Sequence, residues 1–183
     1  AERLPFAYET YRAWPDQFRV LTLPFRKAMS RPHFLGAILH SEQARLKYLA
    51  RGMPASRLTV THNGYDSRLF VSPPSKCTAR SQLGLPIDAK LVVYTGHINF
   101  TKGFEVVLAM AKRCPELTFV LVGSEGRRLI ERLGRAQPNL MFIGWQRSDR
   151  VVQYLFAADV LLVPPSSVPH RWVGNTVLPM KLF

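Results

Sequence analysis

Lys102 has the sequence neighbours of a residue that meets an anion. In LVVYTGHINFTKG, residues 91–103, an apolar run ends at a glycine, a short polar loop follows, and a lysine–glycine pair opens an amphipathic pattern. A parallel sheet offers backbone donors and one cation to a phosphate in this way, because a helix N-terminus attracts negative charge. A lysine in the first helical turn opposes the macrodipole by roughly 0.3–1 kcal/mol until an anion binds. The same residues are equally compatible with a solvated lysine on a surface turn.

The elements around this loop read as alternating strands and helices, the pattern of βαβ units and a parallel sheet. In the first half, residues 4–11 form a strand and 16–30 a loosely amphipathic helix interrupted near Pro24. Residues 36–41 form a buried strand, and Ser41 caps a helix over 42–51 that stops at Gly52 and Pro54. A strand over 58–61 enters the His62-Asn63-Gly64 turn. The proline pair in VSPPS marks the domain boundary, with residues 1–70 as one domain, 71–78 as linker and 79–183 as a second domain.

The second half is more regular. Strands are predicted over 91–95, 117–122, 140–143 and 160–163. The helices between them cover 102–113, 125–135, and a Ser148-capped segment to about Ala157. In the first of these helices Phe104, Val107, Leu108 and Ala111 share a face. Three strands end at Gly96, Gly123 and Gly144, where open α/β sheets place their ligand crevice. Neither a dinucleotide-binding nor a Walker glycine pattern is present.

Composition narrows the class. With 47% hydrophobic residues the chain can fill a core, and no apolar run has the length of a membrane span. Cys77 and Cys114 are too few for a metal site or disulfide framework and are expected to be reduced thiols of a cytoplasmic protein. The net charge of +13 divides into +6 over residues 1–70 and +7 over 71–183. A spread excess suits a general anionic environment, such as an inner membrane face, better than a dedicated basic arm.

Several segments, in order, carry a family likeness. HNGYDSRLF resembles the NG-x-D-x-x-x-F segment of the retaining, group-one glycosyltransferases of the GT-B fold. YTGHINFTKG is similar to their G-x-x-x-x-x-KG donor loop, and LTFVLVGSEG to their strand ending in G-x-G. The run from Asn139 to Ser166 follows their F-x-G, helix, AD-V and PS pattern, and LPMKLF resembles the run before their acidic residue.

This resemblance implies two Rossmann-like α/β domains facing a cleft, the N-terminal one partial and the C-terminal one lacking its last helices. It implies transfer of a sugar from a nucleotide-diphosphate donor to an acceptor hydroxyl, with retention and without a metal or other cofactor. The acceptor would be a glycan, a lipid-linked molecule or a small molecule. It assigns donor binding to Gly96, His97, Lys102, Gly103, Gly123, Ser124, Gly144 and Trp145, with Lys102 on the diphosphate and Gly144–Trp145 near the nucleobase.

The departures are specific. His97 stands where many members carry arginine, and a neutral histidine is the weaker phosphate partner. The family's paired glutamates are not visible: one position corresponds to Thr176 and the other falls just past Phe183. The chain is therefore expected to be inactive alone, and no catalytic residue is assigned. Two other functions stay open, a GT-B-fold scaffold that has lost its chemistry and a basic nucleic-acid-binding module.

Other residues have plainer readings. His40, His62 and His170 are expected to be structural rather than catalytic bases, and Asp66 to bond local backbone. Arg127, Arg128, Arg132 and Arg135 form a solvated face opposite Leu129, Ile130 and Leu133. Tyr8, Tyr11 and Trp14 either line an acceptor site or fill a core.

Overall fold

Apolar strand residues alternating with amphipathic helices build two parallel sheets. The computed structural model describes residues 4–10, 19–126 and 128–164. Contacts divide these residues into two compact units between Tyr65 and Asp66.

The first unit contains β1 (Phe6–Thr10), α1 (Thr22–Met29), β2 (Phe34–Leu39), α2 (Glu42–Leu49) and β3 (Leu58–Val60). Its sheet is parallel in the order β1-β2-β3. Phe25 of α1 and Ala44 and Tyr48 of α2 share one core with Phe34, Leu39 and Leu58, so both helices cover the same face. Ser41 caps α2 as expected, its hydroxyl accepting the Ala44 N–H at 3.1 Å. Pro24 does not interrupt α1. It lies in the first turn, where its missing N–H is one that no helical carbonyl would have received. The preceding residues 19–21 form a 3-10 turn, and 16–18 lie outside the described residues.

The second unit contains α3 (Lys76–Leu83), β4 (Lys90–Thr95), α4 (Phe104–Arg113), β5 (Leu117–Ser124), α5 (Arg128–Arg135), β6 (Leu140–Gly144), α6 (Ser148–Ala157) and β7 (Val160–Leu161). Its sheet is parallel in the order β6-β5-β4-β7. Side chains alternate across it. Val92, Tyr94, Phe119 and Leu121 pack with Phe104, Val107 and Ala111 of α4 and Ile130 of α5. Leu91, Val93, Val120 and Val122 pack with Ala79 of α3 and Tyr154 and Ala157 of α6. The result is three layers, the arrangement that buries both faces of a parallel sheet.

Helix α3 occupies ground where a linker was expected. The Ser75 hydroxyl accepts the Thr78 N–H at 3.1 Å, so Lys76, Cys77 and Thr78 become its first turn. Just before it, Phe70 packs edge-on against Phe156 of α6, and residues 66–70 therefore sit with the second unit. The N-cap of α6 is Arg147 rather than Ser148, and no side chain accepts there. Asn139 ties α4 to β5, donating to the carbonyls of Ala111, Cys114 and Leu117 at 2.9–3.0 Å.

Arg80 joins α3 to the sheet. It is 4% exposed, and its guanidinium donates to the carbonyls of Ala157, Ile87 and Ala89 and to the Asp159 carboxylate at 2.7 Å. Asp159 also accepts from Lys76 at 2.7 Å and from the Leu91 N–H at 2.8 Å. Lys76, that N–H and Arg80 together hold the Asp159 carboxyl well below the ordinary value of 3.8. Because its folded pKa lies below its unfolded one, the stability it contributes is complete above that value and declines as pH falls toward the folded pKa. Arg80→Met leaves the carboxylate with a half-exposed lysine and should cost about 3–5 kcal/mol, against less than about 1 kcal/mol for Lys76→Ala. Urea unfolding at neutral pH checks both, and Asp159→Asn should flatten the loss of stability below about pH 4.

Candidate functional site

The chain lays β4, β5 and β6 side by side in one direction, then returns to place β7 on the other side of β4. Beyond the carboxyl ends of β4 and β7 the connections diverge, and such a switch point is where open α/β sheets hold ligands. Gly96 and His97 follow β4 at this place.

Two glycines let the strand ends close together. The Gly96 N–H continues the ladder to the Val122 carbonyl at 2.8 Å. Gly96 has φ 124° and Gly123 has φ 113°, and a Cβ on Gly123 would lie 2.6 Å from the Gly96 carbonyl oxygen. No L-side chain suits both that dihedral and that contact. The loop after Gly96 is then pinned from below. Buried Tyr94 donates its hydroxyl to the His97 carbonyl at 2.7 Å, and burial pushes its pKa up to about 12, so it stays a neutral donor. Ile98 is buried in the same core.

Lys102 is not in the first turn of a helix, as expected, but closes a 3-10 turn over Phe100–Lys102. Gly103 follows at φ 78° and is the N-cap of α4, because the left-handed conformation separates the two helical segments. The Asn99 carbonyl accepts the N–H groups of both Lys102 and Phe104. Lys102 is exposed beside a shallow depression lined by Tyr94, Ile98, Asn99 and Phe104.

The remaining candidates fall along the same edge. Ser124 donates to Glu131 of α5 at 2.5 Å, so its proton is committed within the fold. Gly144 pairs in register with Ser124, and Trp145 beyond it is 72% exposed rather than packed in the core. Two strand spacings, about 10 Å, separate β6 from β4. Gly96, His97, Gly123, Ser124, Gly144 and Trp145 thus occupy one sheet edge, with Lys102 and Gly103 at the start of α4.

Glu125 was not among the expected site residues. Its carboxylate lies 2.5 Å from His97 Nδ1, joining the loops after β4 and β5. The helix expected to begin at Glu125 begins at Arg128, because Gly126 takes φ 72° and holds Glu125 in the loop. An acid two residues after Gly123 was its only signal in the sequence.

The bland readings divide. His40 is buried and pairs with Glu9 at 3.0 Å, and Tyr8 packs edge-on against Phe25, both consistent with structural roles. Asp66 accepts the Arg68 N–H and its guanidinium, a local bond as expected. On α5 only Ile130 of the expected apolar face is buried. Leu129 and Leu133 are exposed, because the close packing against Phe142 is made at Gly134. Tyr11, Trp14, Arg127, His170, Thr176 and the LPMKLF run lie outside the described residues.

No family model matches the chain. It is 30% identical over 122 residues to D-inositol 3-phosphate glycosyltransferase of Mycolicibacterium smegmatis, covering 61% of this chain and 28% of that protein. HepE of Anabaena, solved in complex with UDP, superposes with a TM-score of 0.68 at 25% identity, over 90% of this chain and 48% of HepE. The chain is thus similar in sequence to a glycosyltransferase and shares the GT-B type of fold with HepE. Sucrose-phosphate synthase of Thermosynechococcus elongatus shares the fold at a TM-score of 0.67 and 24% identity, over 89% of this chain and 45% of the synthase. The chain spans under a third of the curated relative and about half of the solved ones.

The two strand-end glycines are not equivalent. Gly123→Ala should destabilise the chain by about 1–3 kcal/mol, from positive-φ strain and the clash with Gly96. Gly144→Ala has nothing within 4 Å of its added methyl and should change stability by less than about 0.5 kcal/mol. Chemical denaturation of the two variants distinguishes them.

Proposed function

We propose that the second unit binds a nucleotide-diphosphate sugar, and that the protein transfers that sugar to an acceptor hydroxyl with retention. The observation that carries this reading is Gly96 at the switch point, closed on its other side against Gly123 of β5, with His97 and Lys102 in the loop that follows. Gly96 is exposed at the end of β4, which leaves its backbone accessible to a ligand, and the exposed lysine in the following loop supplies positive charge. HepE binds UDP and UDP-glucose on the same fold, which supports a nucleotide sugar as the ligand class.

In this reading Lys102 acts on the diphosphate. At about 4 Å and an effective dielectric near 20, a cation and a phosphate charge attract by about 4 kcal/mol. The attraction grows as the sugar–phosphate bond breaks and charge collects on the leaving diphosphate, which is electrostatic stabilisation of the transition state. His97 pairs through Nδ1 with Glu125 and, in this reading, its other ring nitrogen serves the same ligand. Trp145 offers an exposed aromatic face for a nucleobase about two strands away. Retention, hexosyl specificity and independence from metal rest on the family resemblance alone.

Calorimetry with UDP and UDP-glucose tests the donor reading. Loss of a charge-assisted phosphate contact in Lys102→Ala should raise Kd about ten- to a hundredfold. Since Lys102 is exposed, its thermal stability should stay within about 1 °C, because surface substitutions change little. An unchanged Kd would sink the diphosphate assignment. In the full-length protein, donor binding without sugar transfer to any hydroxyl acceptor would favour a scaffold that kept the fold and lost the chemistry.

A further inference from the structure

In the first unit, the outward side of α1 carries a stripe that the donor site does not use. Leu23 and Lys27 lie at helical spacing on α1 with Arg26 beside Lys27, and Val20 precedes them in the 3-10 turn that leads into the helix. Val20 is 83% and Leu23 74% exposed, while Phe25 on the opposite side fills the core against Tyr8 and Tyr48. Arg26, Lys27 and Arg31 are exposed at the C-terminal end of the stripe. On α2, which covers the same sheet face, Leu46 is exposed as well. Among the described residues up to Tyr65 the acids are Glu9 and Glu42, paired with His40 and Arg45. Among the described residues the cations on α1 therefore have no acidic counterpart along their stripe.

We propose that this face docks on an anionic lipid bilayer, with Val20 and Leu23 entering the headgroup–acyl boundary and Arg26, Lys27 and Arg31 resting on acidic headgroups. Aliphatic knobs next to long cationic side chains are the composition of an interfacial surface. Nucleic acid fits less well, since its single strands reward aromatic stacking and, among the described residues, no aromatic ring is exposed in the stripe. A second copy fits less well too, because among the described residues the stripe carries no acid to meet the cations of its equivalent. The proposal concerns the first unit alone and does not depend on the donor reading.

Co-sedimentation of the chain with phosphatidylcholine vesicles, and with equal parts phosphatidylcholine and phosphatidylglycerol, tests it. Binding should require phosphatidylglycerol, and the double variant Arg26→Glu/Lys27→Glu should lower the partition coefficient about tenfold or more. Leu23→Asn and Val20→Asn, each checked for folding by circular dichroism, should weaken vesicle binding while leaving UDP affinity unchanged. Equal binding to both vesicle types, or no loss in the charge-reversed variant, overturns the proposal. So does a dimer that Leu23→Asn dissociates, or DNA binding insensitive to Leu23→Asn, if either occurs without vesicle binding. UDP affinity lost in the unmodified chain with vesicle binding intact would fail the donor reading and leave this one standing.

Discussion

The buried Arg80 guanidinium, with Asp159 as its counterion, is the constraint from which the second unit's architecture follows. A guanidinium removed from water must have its donors matched, and here three carbonyls and one carboxylate match them. Those partners come from the end of α6, the loop before β4 and the start of β7. One side chain on α3 thereby fixes where the chain turns after α6. Asp159 completes the arrangement through the Leu91 N–H, while its own N–H donates to the Leu91 carbonyl at 2.9 Å. That exchange sets β7 beside β4 rather than beyond β6. The switch point exists because of it.

What the switch point can hold is decided at its rim. Gly96 and Gly123 bring two backbones closer than side chains permit, and the loops that leave them are tied by Tyr94 below and by His97 with Glu125 above. The same edge contains hydroxyl and carboxylate groups already committed to one another, Ser124 with Glu131 among them. The exposed Lys102 lies at the end of this loop, and Gly103 sets its position by ending one helical turn before the next begins. Positioning in this site comes from backbone conformation more than from side-chain networks.

The first unit solves a different problem. Both of its crossover helices lie on one sheet face, and their inner residues, Phe25, Ala44 and Tyr48, complete a small aromatic core. Their outer residues are free to serve contacts with surroundings rather than stability. An excess of positive charge that looks diffuse along the sequence becomes, on α1, a stripe with aliphatic residues at one end and cations at the other.

Periodicity and glycine placement in the sequence determined the alternating architecture, the parallel sheets, the strand ends at Gly96 and Gly144, and the capping role of Ser41. These are local properties, set by side-chain spacing and φ preference over a few residues. Ordered motifs likewise identified the loop containing Lys102. Tertiary structure alone decided that Leu129 and Leu133 face outward, and that the buried Arg80 meets Asp159, 79 residues away. It alone brought Glu125 to His97, 28 residues apart in the chain. Pairings of that kind depend on which strands lie side by side and how close their backbones come, and neither is encoded in the spacing of any one segment.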